Sequence, residues 1–264
     1  MASCDVIEEP VIDNQGGGGV VNGDEVTRKV LIEKFTGHLC NNCPNADITG
    51  GQISSQFGED VIFISYHVLS NFARPTADAP NDWRTPEGTS IFEFYRFVGI
   101  PIGMVNRSNY TTNGTSHHIQ HGGWASVVQQ EVDTDPLFRI DINGTWSDPE
   151  LDVDISVEAL ENYGDRVRLS VFVTQDNIVA AQLLPSYDLD TAYVHNYMFR
   201  FALTNHLGDP IGEASWTRGL RESFTENHTI SNDHDPNNLH IVAFVRDEST
   251  HKILQVERKK VTDL

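Results

Sequence analysis

The 264-residue chain has only three cysteines. That is too few for a small scaffold held together by several disulfides. It has no uninterrupted apolar run of the eighteen or more residues that a membrane-spanning helix needs. Positive charge is also scarce: 18 Lys and Arg stand against 38 Asp and Glu, a formal net charge of −20. A surface this acidic repels a phosphate backbone, so nucleic acid is excluded as a partner. No internal repeat is visible. Hydrophobic residues make up 39% of the chain, enough to build a core, and the length suits two domains of ordinary size.

What is present begins with Met1-Ala2-Ser3-Cys4. An apolar residue, two small ones and a cysteine have the shape of a bacterial lipoprotein processing site, without the apolar signal helix that precedes such sites. A lipid on Cys4 would tether the protein to a membrane that it does not cross. The other reading is a chance cysteine in a tail. Residues 5–27 are acidic and glycine-rich, with Gly16-Gly17-Gly18-Gly19 at their centre, the composition of a flexible spacer.

From Arg28 the pattern becomes structural. Val30-Leu31-Ile32 reads as a strand, the stretch from Cys40 to Phe57 as a helix, and Val61–Tyr66 as a buried parallel strand. Thr85-Pro86-Glu87 is a helix start: a capping hydroxyl, proline at the first helical position and an acid in the first turn. Ile102–Asn106 and Ser116–Gln120 are short strand candidates, and Gly123–Val132 closes the segment as a helix. This alternation implies a parallel βαβ start with an antiparallel end. Beyond Thr134-Asp135-Pro136 the grammar changes to strict alternation, as in Leu151-Asp152-Val153-Asp154-Ile155-Ser156-Val157. About seven strands over residues 135–264 suggest an all-β sandwich of immunoglobulin-like kind. The expected division is therefore a tether at 1–27, an α/β domain at 28–134 and a β-sandwich at 135–264.

Chemistry concentrates at Cys40-Asn41-Asn42-Cys43, placed after an apolar strand and at the opening of a helix. Unpaired backbone N–H groups and the helix dipole at such a start favour a thiolate. Cys40 should face solvent as the nucleophile, and Cys43, a turn inward, should resolve the mixed disulfide. A lone Cys-x-x-Cys is also half of a zinc site, for which His117, His118 and His121 are candidate ligands. His38 and His67 lie close enough in sequence or topology to lower the thiol pKa, or they are ordinary surface histidines. Asp233 and Asp235, in an oxygen-rich turn, lack the glycine and terminal glutamate of a calcium loop.

Val30-Leu31-Ile32-Glu33-Lys34-Phe35, Cys40-x-x-Cys43-Pro44 and Val98-Gly99-Ile100-Pro101 together resemble the thioredoxin fold. That resemblance implies Cys40 as the attacking thiol, Cys43 as the resolving one and Pro101 as a cis-proline beside the sulfurs. It departs at Leu39, where tryptophan is usual, at the Asn41-Asn42 dipeptide, and at Lys34, which occupies the position of a buried acid while Glu33 points to the other face. A narrower resemblance covers both halves. It is carried by Val30–Pro44, Ser65-Tyr66-His67, Gly99–Arg107 and His195-Asn196-Tyr197-Met198-Phe199-Arg200, which are similar to the family named after a twenty-eight-kilodalton outer-membrane protein of Bacteroidetes. The resemblance implies a cell-envelope lipoprotein with a thioredoxin-like α/β half and an immunoglobulin-like half. No cofactor and no resident metal are expected, and the expected partner is an unidentified protein or peptide. Asp5–Glu9 resembles the surface-export signal of such lipoproteins. Two functions compete: thiol–disulfide exchange, and surface binding or adhesion on a scaffold whose disulfide is static.

Overall fold

The computed structural model describes residues 26–110 and 116–264. Cys4 and most of the acidic spacer lie outside the described residues. The chain runs β1 (Val30–Thr36), α1 (Cys43–Phe57), β2 (Val61–His67), α2 (Ser70–Ala73), α3 (Pro86–Phe94), β3 (Ile102–Val105) and α4 (Trp124–Val132). It continues with β4 (Phe138–Ser147), β5 (Glu150–Ala159), β6 (Val167–Gln175), β7 (Ile178–Leu183), β8 (Leu189–His195) and β9 (Met198–Ala202). The last strands are β10 (Asp209–Ile211), β11 (Arg221–Thr229), β12 (Leu239–Asp247) and β13 (Ile253–Lys260).

The first half follows its sequence signals closely. β1 and β2 pair in parallel and β3 returns antiparallel to β1. Thr85 caps α3, its Oγ1 accepting from Gly88 N at 3.0 Å. The Ser116–Gln120 strand is reduced to a single bridge between Ile119 and Gly103. Trp124 occupies the space that a side chain at residue 103 would need: a Cβ on Gly103 would lie 2.7 Å from Trp124 and 2.8 Å from the Glu33 carbonyl oxygen.

The main sheet does not stop at residue 134. Its order is β13-β12-β6-β9-β2-β1-β3, with β10 on β6, so strands from both halves form one surface. The join is the parallel pairing of β9 with β2 at Ser65 and Met198, reinforced by Ser65 N donating to Tyr197 O at 2.7 Å. The sheet curls until its two ends meet: Ile253 N, at the start of β13, donates to Asn106 O at 2.8 Å, and the Arg28 guanidinium donates to Ile253 O at 2.8 Å and to Leu254 O.

Curling creates an inside. Leu31, Phe35, Ile64 and Tyr66 from the first half pack there with Phe172, Phe199, Val242 and Phe244 from the second. The opposite face of β1 and β2 packs on α1 and α4 through Val30, Ile32, Phe63, Ile53 and Trp124. A second sheet, β11-β5-β4, lies over β6 and β12, burying Leu151, Val153, Ile155 and Val157 against Leu169, Val171, Ile241 and Ala243. Asp152 and Asp154 alternate outward, as period-two side chains must.

One polar group is sealed inside the curl. Glu33 and Arg107 are both 0% exposed and meet through two hydrogen bonds, Nε to Oε2 at 2.6 Å and Nη2 to Oε1 at 2.7 Å. Tyr66 donates to the same carboxylate at 2.9 Å, and the guanidinium lies over the rings of Tyr95 and Phe244. Asn106 and Arg107 both have φ of +48°, an uncommon left-handed backbone for non-glycine residues. It turns the chain sharply at the end of β3.

Candidate functional site

The loop between β1 and α1 is fixed by its backbone. Gly37 passes so close to Phe72 that a Cβ would sit 2.4 Å from Phe72 O. Leu39 N donates to Phe72 O at 2.8 Å, and Cys40 N to Gly37 O at 3.0 Å. α1 then opens at Cys43 with Pro44 in its first turn. Cys40 and Cys43 are joined by a disulfide, with their Cα atoms 5.4 Å apart. Ile100–Pro101, just before β3, is a cis peptide.

The expected solvent-facing first cysteine is not observed. Cys40 is 3% exposed and Cys43 is 0% exposed. The reason is a hairpin from the second half, β7–β8, which pairs with no other strand among the described residues. Its inner face carries Ala180, Gln182, Tyr193 and His195. Leu183 N donates to His38 O at 2.7 Å, Gln182 Nε2 to Cys40 O at 3.1 Å, and the Tyr193 hydroxyl to Asp47 Oδ2 at 3.0 Å. Its outer face presents Val179 and Val194 to solvent. Asp47 follows Cys43 by one helical turn and also holds the Lys34 ammonium.

Three buried histidines lie under this cover. His38 and His67 were singled out by the sequence; His195, from β8, was recognised only as part of a resembling stretch. The His67 ring lies 6.1 Å from that of His38 and 5.6 Å from that of His195. His38 uses Nε2 on Arg74 O at 3.1 Å, leaving Nδ1 without a partner. Both ring nitrogens of His67, Nε2 of His195 and the Ser65 hydroxyl are likewise buried and unpartnered. Burial pushes the His67 imidazole well below its ordinary value, helped by His195, His38, Lys34 and Arg200. Burial first, then Lys34, lowers His195 to about 4, and burial lowers His38 as well. All three rings are neutral at pH 7. Burial also pulls Lys34 down to about 7, against the attraction of Asp47.

The candidate zinc histidines do not converge. His117 bonds Arg107 O at 2.6 Å, His118 packs on Phe97, and His121 meets Thr49 at 2.9 Å. Among the described residues, no three His, Cys, Asp or Glu side chains are grouped to hold a metal ion. Asp235 caps a short turn, accepting from Asn237 N at 3.1 Å.

Fold and site define a mixed α/β protein with a large β-rich portion and a disulfide at a helix start, closed over by a distant hairpin. The family model for outer membrane protein Omp28 matches residues 90–263, about two thirds of the chain. The chain belongs to that family, which places it at the outer membrane of the cell envelope. The matched span includes Pro101 and His195 and begins after the two cysteines. No helix among the described residues is long and apolar enough to cross a membrane. No curated protein matches the chain. Among solved structures, HBP35 of Porphyromonas gingivalis is similar at 16% identity and a TM-score of 0.68, covering 89% of this chain and 76% of that one. A protein of Agrobacterium tumefaciens is similar at 14% identity and a TM-score of 0.52, covering 88% of this chain and 94% of that one. A domain of the outer membrane lipoprotein Omp28 of Porphyromonas gingivalis aligns at 16% identity and a TM-score of 0.34, over 48% and 90%.

Proposed function

We propose that the protein is a thiol–disulfide exchanger of the cell envelope, tethered through a lipid on Cys4, with a thioredoxin-like half and an immunoglobulin-like half. The observation that carries the reading is the set of buried titratable side chains gathered under the hairpin that covers the disulfide loop. A purely structural cross-link in an apolar pocket needs no neutral histidines with unpaired nitrogens and no buried lysine near 7. Perturbed titratable groups gather where protons are handled.

A partner dithiol supplies the electrons. Its thiolate attacks Cys40 Sγ, the Cys40–Cys43 bond breaks, and Cys43 leaves as a thiolate that takes up a proton. The partner's second thiolate attacks the mixed disulfide and releases Cys40. The partner ends as a disulfide and this protein as a dithiol. The Cys40 thiolate is stabilised by the start of α1. In this reading Pro101, a cis-proline, takes the role beside the sulfurs that the thioredoxin resemblance implies, and His38 and His67 supply sites for protons. The partner is a protein or peptide with a reducible or oxidisable cysteine pair.

One observation favours the rival, a binding protein on a static scaffold: both sulfurs are buried. Equilibration with dithiol buffers separates the two. An exchanger poises between about −270 and −120 mV and turns over a thiol substrate, with Cys40→Ser inactive. A potential below about −300 mV with no turnover assigns the scaffold reading.

A further inference from the structure

The β7–β8 hairpin is built unlike the rest of the fold. It forms a two-stranded sheet of its own and keeps its outer valines in solvent, Val179 at 64% and Val194 at 47% exposure. Its polar ties to the disulfide region are the three bonds from Leu183, Gln182 and Tyr193. Beneath it lie the unpartnered nitrogens of His38, His67 and His195 and the Ser65 hydroxyl. Each such atom would regain a water partner if the hairpin lifted. Closing the hairpin strands these atoms at a cost that lifting it would recover, and an element held to its surroundings by so few bonds is one that opens locally. A thiol that attacks a disulfide must also reach the sulfur directly. With the hairpin down, Cys40 offers almost no surface.

We propose that β7–β8 is a cap that lifts to admit an attacking group to Cys40, and that protonation of the facing His67–His195 pair lifts it in mild acid. The first part gives the exchange reading its entrance and, as a step in turnover, rests on that reading. The second concerns the cap alone.

The groups facing the pair set the sign. Around His67 stand His195 from β8, His38 before Cys40, Lys34 from β1 and Arg200 from β9. Around His195 stand Lys34 and His38, with the Ala180 and Ala181 backbone favouring its charged form. Asp47, the carboxylate on that side, is engaged by Lys34 and Tyr193. A proton added to either ring thus enters a cationic, dry surrounding. In the lifted state each ring regains water and an ordinary value near 6.5. Both are lowered when the cap is closed, so their contribution to closure is fully present above pH 6.5 and is lost as pH falls toward the closed-state value, about 4 for His195. For His195 alone, the open fraction rises about 20-fold between pH 7 and pH 5 by this linkage.

The test is reduction of the disulfide in the intact chain by a water-soluble phosphine, whose attack requires no thiolate. Rates are divided by those of the same phosphine on a small exposed disulfide at each pH. The expected result is a normalised rate that rises about 20-fold or more from pH 7 to pH 5. In His195→Gln the rise shrinks by about 20-fold, to the part that His67 carries. In Tyr193→Phe, which loses only the tie to Asp47, the rate at pH 7 increases and the pH dependence is kept. Hydrogen exchange at pH 5 should show residues 178–195 exchanging while β6 and β12 stay protected. A flat normalised rate overturns the proposal. So does an unchanged slope in both His195→Gln and His67→Gln, or exchange of β6 and β12 together with the hairpin. If the phosphine results hold while dithiol turnover is absent, the cap stands and the exchange reading falls.

Discussion

Glu33 and Arg107 offer the sharpest test of how the curled sheet is held. The perturbation is Glu33→Leu, which keeps a similar side-chain bulk and removes the charge. Arg107 is 0% exposed, bonded to Glu33 at 2.6 and 2.7 Å, and lies over two aromatic rings. Without the carboxylate its cation stays in a dry interior with no counter-charge. Removing one partner of such a pair costs about 3–5 kcal/mol. Arg107→Met strands the opposite charge and should cost the same.

Replacing both, as Glu33→Leu with Arg107→Met, takes the desolvation of two ions out of the folded state. Such replacements are neutral or stabilising by about 1–4 kcal/mol. The Tyr66 hydroxyl, which donates to Glu33 at 2.9 Å, then loses its acceptor at a cost of about 1–3 kcal/mol. The double variant should therefore lie within about 3 kcal/mol of the parent, far from the sum of the singles. Urea unfolding of the four proteins, disulfide intact, measures the cycle through the midpoint and slope. For a chain of this size each single variant should lower Tm by on the order of 10 °C. Single costs below about 1 kcal/mol, or additive singles, would refute the view that the pair is dry and mutually dependent.

Three other outcomes are expected. Gly103→Ala should cost about 1–3 kcal/mol in thermal melts, because its Cβ meets Trp124 at 2.7 Å and the rigid Glu33 backbone at 2.8 Å. Burial would raise the Asp247 carboxyl, but donors from Tyr163, Ser249 and Thr250 hold it at about 2. Its contribution is then present above about pH 4 and lost as pH falls toward 2, about 2 kcal/mol in all, so Asp247→Asn should flatten the stability–pH curve over that range. Replacing Cys40 and Cys43 together by alanine should cost only about 2 kcal/mol in urea unfolding, since the ring closed by the bond is short.

Local signals and periodicity carried the element reading a long way. Thr85-Pro86 marked the start of α3, the Leu151–Val157 alternation marked β5, and the opposite facing of Glu33 and Lys34 followed from strand period alone. The cysteine pair and the cis Ile100–Pro101 bond stand where the motifs put them. β7 and β8 escaped notice for a local reason. Val179-Ala180-Ala181-Gln182 and Asp190-Thr191-Ala192 are alanine-rich and weakly alternating, and a hairpin with one face in solvent needs no long apolar run. His195 carried no signal of its own, because what gives it meaning is a ring 128 positions earlier in the chain. Arg107 is similar: only the left-handed turn at Asn106–Arg107 brings it to Glu33.

The same long-range pairing explains why the two halves cannot be reasoned about separately. β2 would be an edge strand if the first half ended at residue 134, with its backbone groups open along one side. β9 closes that edge through Met198 and Tyr197. The inner face of β1 and β2 would likewise be bare apolar surface without Phe172, Phe199 and Phe244. The disulfide would lose the bonds from Gln182 and Leu183 that cover its loop. So the second half is more than an appended module. It completes the core of the first and covers the Cys40–Cys43 disulfide, and any partner that reaches Cys40 must contend with strands lying some 140 residues downstream.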